Sequence, residues 1–278
     1  MTRRPSRTVR VLAVVLTAGA LLATASCSDG ADEETRTAGV SASATPGESR
    51  AAAPAARSTT TPSGDLTEAG ARAALITEAD IEDDWTRADR AEDWRDSLLV
   101  GRVDVDDLLT GETDAADCQR LLDGLYSEDL LGKPSGASAL TGFTQSDSRL
   151  LYQVAAYDRG SLEDSLNWLG KLPDKCDRFT ATGSGGDERT VQVVEDSLPD
   201  EGDARQGLRV TVTGTAGGAP ATLTLDVGVV RVGSDAITVT AGGLDGGEKE
   251  SVDAAVRQGT ERLKDVLAGR TPAASPTA

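Results

Sequence analysis

Leu208-Arg209-Val210-Thr211-Val212-Thr213 and, a few residues on, Leu223-Thr224-Leu225-Asp226-Val227-Gly228-Val229 alternate apolar and polar side chains with period two. Successive side chains of a strand point to opposite sides, so each stretch has one apolar face and one face of Thr, Arg and Asp. Residues 176–182, 189–195, 208–215, 221–232 and 236–241 are each bounded by Gly, Asp or Pro clusters and read as strands. The alternation predicts an antiparallel sheet with one covered face.

Working outward, residues 138–145 and 149–157, rich in Leu, Tyr and Val, read as a hairpin. Residues 115–125 read as a helix whose apolar side carries Cys118, Leu121, Leu122 and Leu125. A second helix, with Ser161 as its cap, contains Leu162, Leu166, Trp168 and Leu169 and is stopped by Pro173. The last helix, 248–268, aligns Val252, Ala255, Val256, Leu263 and Leu267 on one side and is expected to lie across the sheet. Near the start, Leu66, Ala69, Ala73 and Ala74 fall at helical spacing, and Thr77 with Asp80 forms a capping-box pair. The acidic stretch 85–114 yields one strand around 97–103. Together these elements predict an α+β fold: a single twisted antiparallel sheet with helices packed mainly on one face, and one disulfide.

The ends of the chain read differently. Arg3, Arg4, Arg7 and Arg10 precede an apolar run from Val11 to Ala25, the layout of an export signal. Small residues lead into Cys27, a pattern that resembles the lipobox of bacterial lipoproteins, whose cysteine is acylated and becomes the first mature residue. Two cleavages compete, because Ala23-Thr24-Ala25 is also an A-x-A site that would release a secreted chain starting at Ser26. The apolar run is about 15 residues, short of the ~20 needed to span a bilayer. Residues 27–65 are Ala, Ser, Thr, Pro and Gly with scattered charge, a disordered tether. Residues 270–278 form a disordered tail, which leaves 66–269 as one α+β domain.

With Cys27 taken by lipid, Cys118 and Cys176 remain as a pair, and a disulfide between them is the expectation outside the cytoplasm. Removing residues 1–26 takes away four arginines and no acid, so 24 basic residues face 46 acidic ones, a formal charge of −22. Such a chain repels nucleic acid and anionic headgroups. Five lysines against 23 arginines, with abundant Ala, Gly and Asp, resembles the residue usage of a G+C-rich actinobacterium.

Histidine is absent, and neither Ser-x-x-Lys nor Gly-x-Ser-x-Gly occurs, so nucleophilic catalysis lacks its parts and a non-enzyme without cofactor is expected. Asp104-Val105-Asp106-Asp107 and Asp80 to Asp84 are dense in oxygen ligands, but Leu109 stands where an EF-hand needs glycine, and both read as solvated acidic faces rather than metal sites. Gly183-Ser184-Gly185-Gly186 has no following lysine and reads as a turn between strands. The residues singled out for a ligand cleft are Trp85 and Trp94, in the irregular acidic segment where a loop can form a wall.

Several short pieces resemble the extracellular sensor domain of mycobacterial Ser/Thr protein kinases of the PknH type. They are Leu75-Ile76-Thr77-Glu78-Ala79-Asp80-Ile81 ending at Trp85, the cysteine helix around Cys118, Cys176-Asp177-Arg178-Phe179, Leu198-Pro199-Asp200-Glu201-Gly202-Asp203-Ala204, and the closing helix. The resemblance implies a twisted sheet with helices and a central cleft for an unidentified ligand. Two departures stand out: the kinase domain has two disulfides where this chain can form one, and no kinase is attached. The functional expectation is a lipid-anchored extracytoplasmic module at the outer face of the cell membrane that binds a small-molecule or cell-envelope ligand as a sensor. The alternatives are a protein-interaction module for an envelope partner, and a carrier of an apolar lipid ligand in a deep cavity between sheet and helix.

Overall fold

The computed structural model describes residues 64–81, 84–95, 99–100, 103–104, 109, 111–183, 186–244 and 246–273. The expected export signal, Cys27, the expected tether up to residue 63, Asp106, Asp107, Ser184, Gly185 and the expected tail from residue 274 lie outside them. Helix α1 is Glu68–Ala73, with the Thr67 hydroxyl accepting the Gly70 N–H. A 3-10 turn, Glu78–Asp80, follows, then strand β1 (Thr86–Arg87) and a second 3-10 turn, Ala91–Arg95. The predicted strand near 97–103 is a small two-stranded ribbon, β2 (Leu99–Val100) and β3 (Val103–Asp104).

Helix α2 (Ala116–Gly124) leads to the hairpin β4 (Ser138–Gln145) and β5 (Ser148–Ala156). Helices α3 (Arg159–Leu169) and α4 (Leu172–Lys175) come next. The sheet is then completed by β6 (Arg178–Thr182), β7 (Glu188–Asp196), β8 (Ala204–Ala216), β9 (Ala219–Val232) and β10 (Asp235–Gly243), and the chain closes on helix α5 (Lys249–Leu267). One eight-stranded sheet runs in the order β1-β4-β5-β10-β9-β8-β7-β6, every neighbour antiparallel. The predicted single antiparallel sheet is what forms. Gly217 and Gly218, at φ 58° and 80°, supply the left-handed two-residue turn that joins β8 to β9 and sets their register.

Helix placement departs from the expectation. One face buries Val191, Val193, Leu208, Val210, Leu225 and Val227 beneath α2, α3 and α4, which contribute Leu121, Leu122, Leu162, Leu169 and Leu172. The other face buries Phe143, Leu150, Tyr152, Val154, Ile237 and Val239 beneath α1 and α5. The sheet is therefore covered on both sides at its centre, and every residue of β10 is buried. The polar second face foreseen from β8 and β9 exists only toward the β6 edge, where Thr190, Gln192, Thr213 and Thr222 are exposed. Alternation in β8 cannot report on β5 and β10, whose Thr238, Thr240 and Gln153 are buried as well. Each Val or Leu that α5 seats on this second face, such as Val252, Val256 and Leu263, contributes about 1.5–3 kcal/mol.

Two local assignments also shift. Helix α3 is capped by Asp158, not Ser161: the Asp158 carboxylate accepts the Ser161 N–H at 3.0 Å and the Ser161 hydroxyl at 3.1 Å. Pro173 does not stop α3, which ends at Leu169, but sits in the first turn of α4, where a missing N–H costs nothing. The Thr77–Asp80 pair forms as read, with the Asp80 carboxylate accepting the Thr77 N–H at 2.7 Å and hydroxyl at 2.8 Å.

Candidate functional site

The disulfide joins Cys118 of α2 to Cys176, just past α4, with the Cα atoms 5.7 Å apart. It ties α2 to the segment that feeds β6. Helix α2 thereby stands as one wall over the first face of β4 and β5, and between them opens a cleft of about 680 Å³. That volume lies in the range of small-molecule sites.

The floor is apolar, built from Leu140, Leu151, Ala91 and Ala116. Tyr126, one residue past the α2 C-cap, forms the back. Its backbone is left-handed at φ 51°, which costs an ordinary side chain about 1 kcal/mol. The buried phenol repays that by donating to the Arg149 carbonyl at 2.9 Å, with the Gly242 carbonyl 3.4 Å away. Burial pushes the Tyr126 hydroxyl pKa far up, so it stays a neutral donor.

The rim is acidic. Glu92, Asp123, Glu128 and Asp129 line it, and Arg120 is its one cation among the described residues. Arg120 lies 3.9 Å over the Trp168 ring and donates to the Ser165 hydroxyl at 3.0 Å, so its charge is already engaged. Gln119 is locked too, donating to the Gly111 carbonyl and to Asp123 while accepting the Thr113 N–H. Among the described residues no group of three or more Cys, Asp or Glu side chains is placed to hold a metal. Four carboxylates over an apolar floor suit a cation with an apolar body.

The two tryptophans singled out from sequence are not brought together. Trp85 is buried in the second-face core, where its indole N–H donates to the Ser251 hydroxyl at 3.2 Å. Trp94 lies on the first face, packed over Gly142 and edge-on to Tyr126 with ring centroids 5.9 Å apart. It thus supports the cleft from behind. Sequence reading missed Arg120, Tyr126, Glu128 and Asp129. The helix read over 115–125 ends at Gly124, close to the expected end, but nothing in the pattern says that the next ring folds back under the helix.

No family model and no curated protein matches the chain. Among solved structures, it is similar to the crystal structure of the extracellular domain of PknH from Mycobacterium tuberculosis. Identity is 14%, coverage 74% of this chain and 98% of that one, and the TM-score 0.39. This is a weak likeness of fold only.

Proposed function

We propose that this chain is a lipid-anchored, extracytoplasmic, non-enzymatic module that captures a cationic ligand in the cleft between α2 and the β4–β5 hairpin and acts as a sensor or binding domain of the cell envelope. The observation that carries the reading is the cleft itself: about 680 Å³, apolar below, with four carboxylates on its rim against one engaged arginine. Pairing of Cys118 with Cys176 leaves Cys27 as the odd cysteine, which supports its role as the acylated residue. A carrier of purely apolar lipid would want an enclosed greasy cavity, and a carboxylate rim disfavours it.

Proflavine, a flat cationic dye, is a direct probe. Fluorescence titration at low salt is expected to show saturable binding that Glu128→Gln with Asp129→Asn weakens at least tenfold, while anionic fluorescein does not bind. Binding indifferent to the double substitution would sink the cleft assignment. The anchor is tested separately by mass spectrometry of the mature N-terminus, where diacylglycerol on Cys27 is expected and an unmodified chain starting at Ser26 refutes it.

A further inference from the structure

A second surface, which shares only Leu140 with the cleft, lies along the edge of β4. In the β4–β5 ladder the Ala156 N–H donates to the Ala137 carbonyl at 2.9 Å, and Ala137 is opposite Ala156 in the register that continues through Ser138–Ala155. Antiparallel pairs alternate between bonded and non-bonded, so the odd residues of β4 bond to β5 and the even ones turn their N–H and C=O outward. Thr144 and Gly142 meet β1 there, the Ala88 N–H donating to the Gly142 carbonyl at 2.8 Å. Beyond Ala88 the chain leaves for the 3-10 turn Ala91–Arg95. Ser138 and Leu140 therefore face outward where, among the described residues, no strand lies beside them.

Against this open edge runs a groove of about 390 Å³ whose opposite wall carries Thr77, Arg72, Arg87 and Arg262. Among the described residues three guanidinium groups and no carboxylate line it, in a chain of formal charge −18. Arg262 is held by Asp80 at 3.5 Å and Arg72 by the exposed Glu68 at 3.6 Å. The Arg87 side chain makes no ion pair or hydrogen bond among the described residues. A second hollow, about 220 Å³, continues past Leu140 along Arg87, Ala88 and Gly142, but there the carboxylates of Asp89 and Glu92 join the lining. At the far edge of the sheet the outward N–H and C=O of Thr182 are already taken, exchanging hydrogen bonds of 2.9 Å with Glu112.

We propose that the open edge of β4 at Ser138–Leu140 accepts an extended acidic segment of a partner protein as an added strand, with its backbone bonded to Ser138 and Leu140 and its carboxylates set against Arg87 and Arg72. Main-chain hydrogen bonds supply the docking, as in other strand additions, and the arginines select for acid. Strand residues are ~3.4 Å apart, so the edge between Ser138 and Leu140 takes about three residues of the added strand, and Asp89 and Glu92 in the second hollow, with β1 beyond, mark where the acidic segment stops.

The test uses a fluorescein-labelled Val-Glu-Val-Glu-Val-Glu peptide and its Val-Lys counterpart on the folded chain, read by polarisation, with amide exchange followed by NMR. The acidic peptide is expected to bind at least tenfold tighter than the lysine one, to lose at least tenfold on Arg87→Glu, and to slow exchange at Leu140 and Ser138. Glu128→Gln with Asp129→Asn is expected to leave it unchanged, which separates this site from the cleft. Absence of binding, equal binding of the two peptides, or binding without protection of Leu140 overturns the proposal. Concentration-dependent self-association that protects Leu140 without peptide also overturns it, by assigning the edge to a second copy of the chain.

Discussion

Asp235 opens β10 beneath the β9–β10 turn with 4% of its surface exposed. Burial, and then the charge of Asp65, push its carboxyl pKa from 3.8 up to about 6. The folded state therefore binds more protons than the unfolded chain between those values, and stability falls as pH rises through that window. Asp235→Asn is expected to flatten this dependence and to gain roughly 1–2 kcal/mol at pH 7, discounted for the solvent that reaches the turn. Thermal melts from pH 4 to pH 8 check it, and a variant that still loses stability between pH 4 and 6 would point to another group. Nothing at residue level in the sequence marks Asp235 as buried, because the turn before it and the Thr residues after it read as surface. The same holds for Trp85, whose hydrogen-bond partner Ser251 is 166 residues away.

At the scale of elements, most of the strands and helices were legible within a residue or a few. Period-two stretches and turn glycines act over short spans of chain, as at Gly217-Gly218. The start of α3 shows the remaining ambiguity, since Asp158 and Ser161 are both good caps and only the backbone decides. Asp158 has extended φ −64°, ψ 129° and its side chain takes the Ser161 N–H. Its carboxyl pKa is lowered chiefly by that backbone N–H and by the Ser161 hydroxyl. Asp158→Ala is expected to lower the urea-unfolding midpoint, and Ser161→Ala to lower it by no more than about half as much. Equal losses would place the cap at Ser161 after all. Helix α5 carries a second element-scale constraint at Gly259, where an added Cβ would lie 2.2 Å from the Tyr152 hydroxyl. Gly259→Ala therefore destabilises, although alanine favours the helix by about 1 kcal/mol, because the buried phenol must shift.

Across the whole molecule, the Cys118–Cys176 bond closes a loop of 58 residues in separation and binds the cleft wall to the remainder of the fold. Its removal by Cys118→Ala with Cys176→Ala is expected to lower stability by about 4 kcal/mol and to weaken proflavine binding, because α2 loses its brace. Calorimetry and the dye titration read the two effects, and unchanged dye affinity in the still-folded variant would show that packing alone holds the wall. By itself the sequence determined the seven longer strands β4 to β10, the hairpin turns, the antiparallel class and the pairing of the two cysteines, but not the short edge strand β1. Each of these follows from short-range periodicity, turn chemistry or a count. Tertiary structure alone decided that both faces of the sheet are covered, that Trp85 belongs to the core, and that Tyr126, Arg120 and four carboxylates meet above Leu140 and Leu151. Those outcomes depend on which distant segments pack together, and a pattern confined to one strand or helix carries no information about its partner.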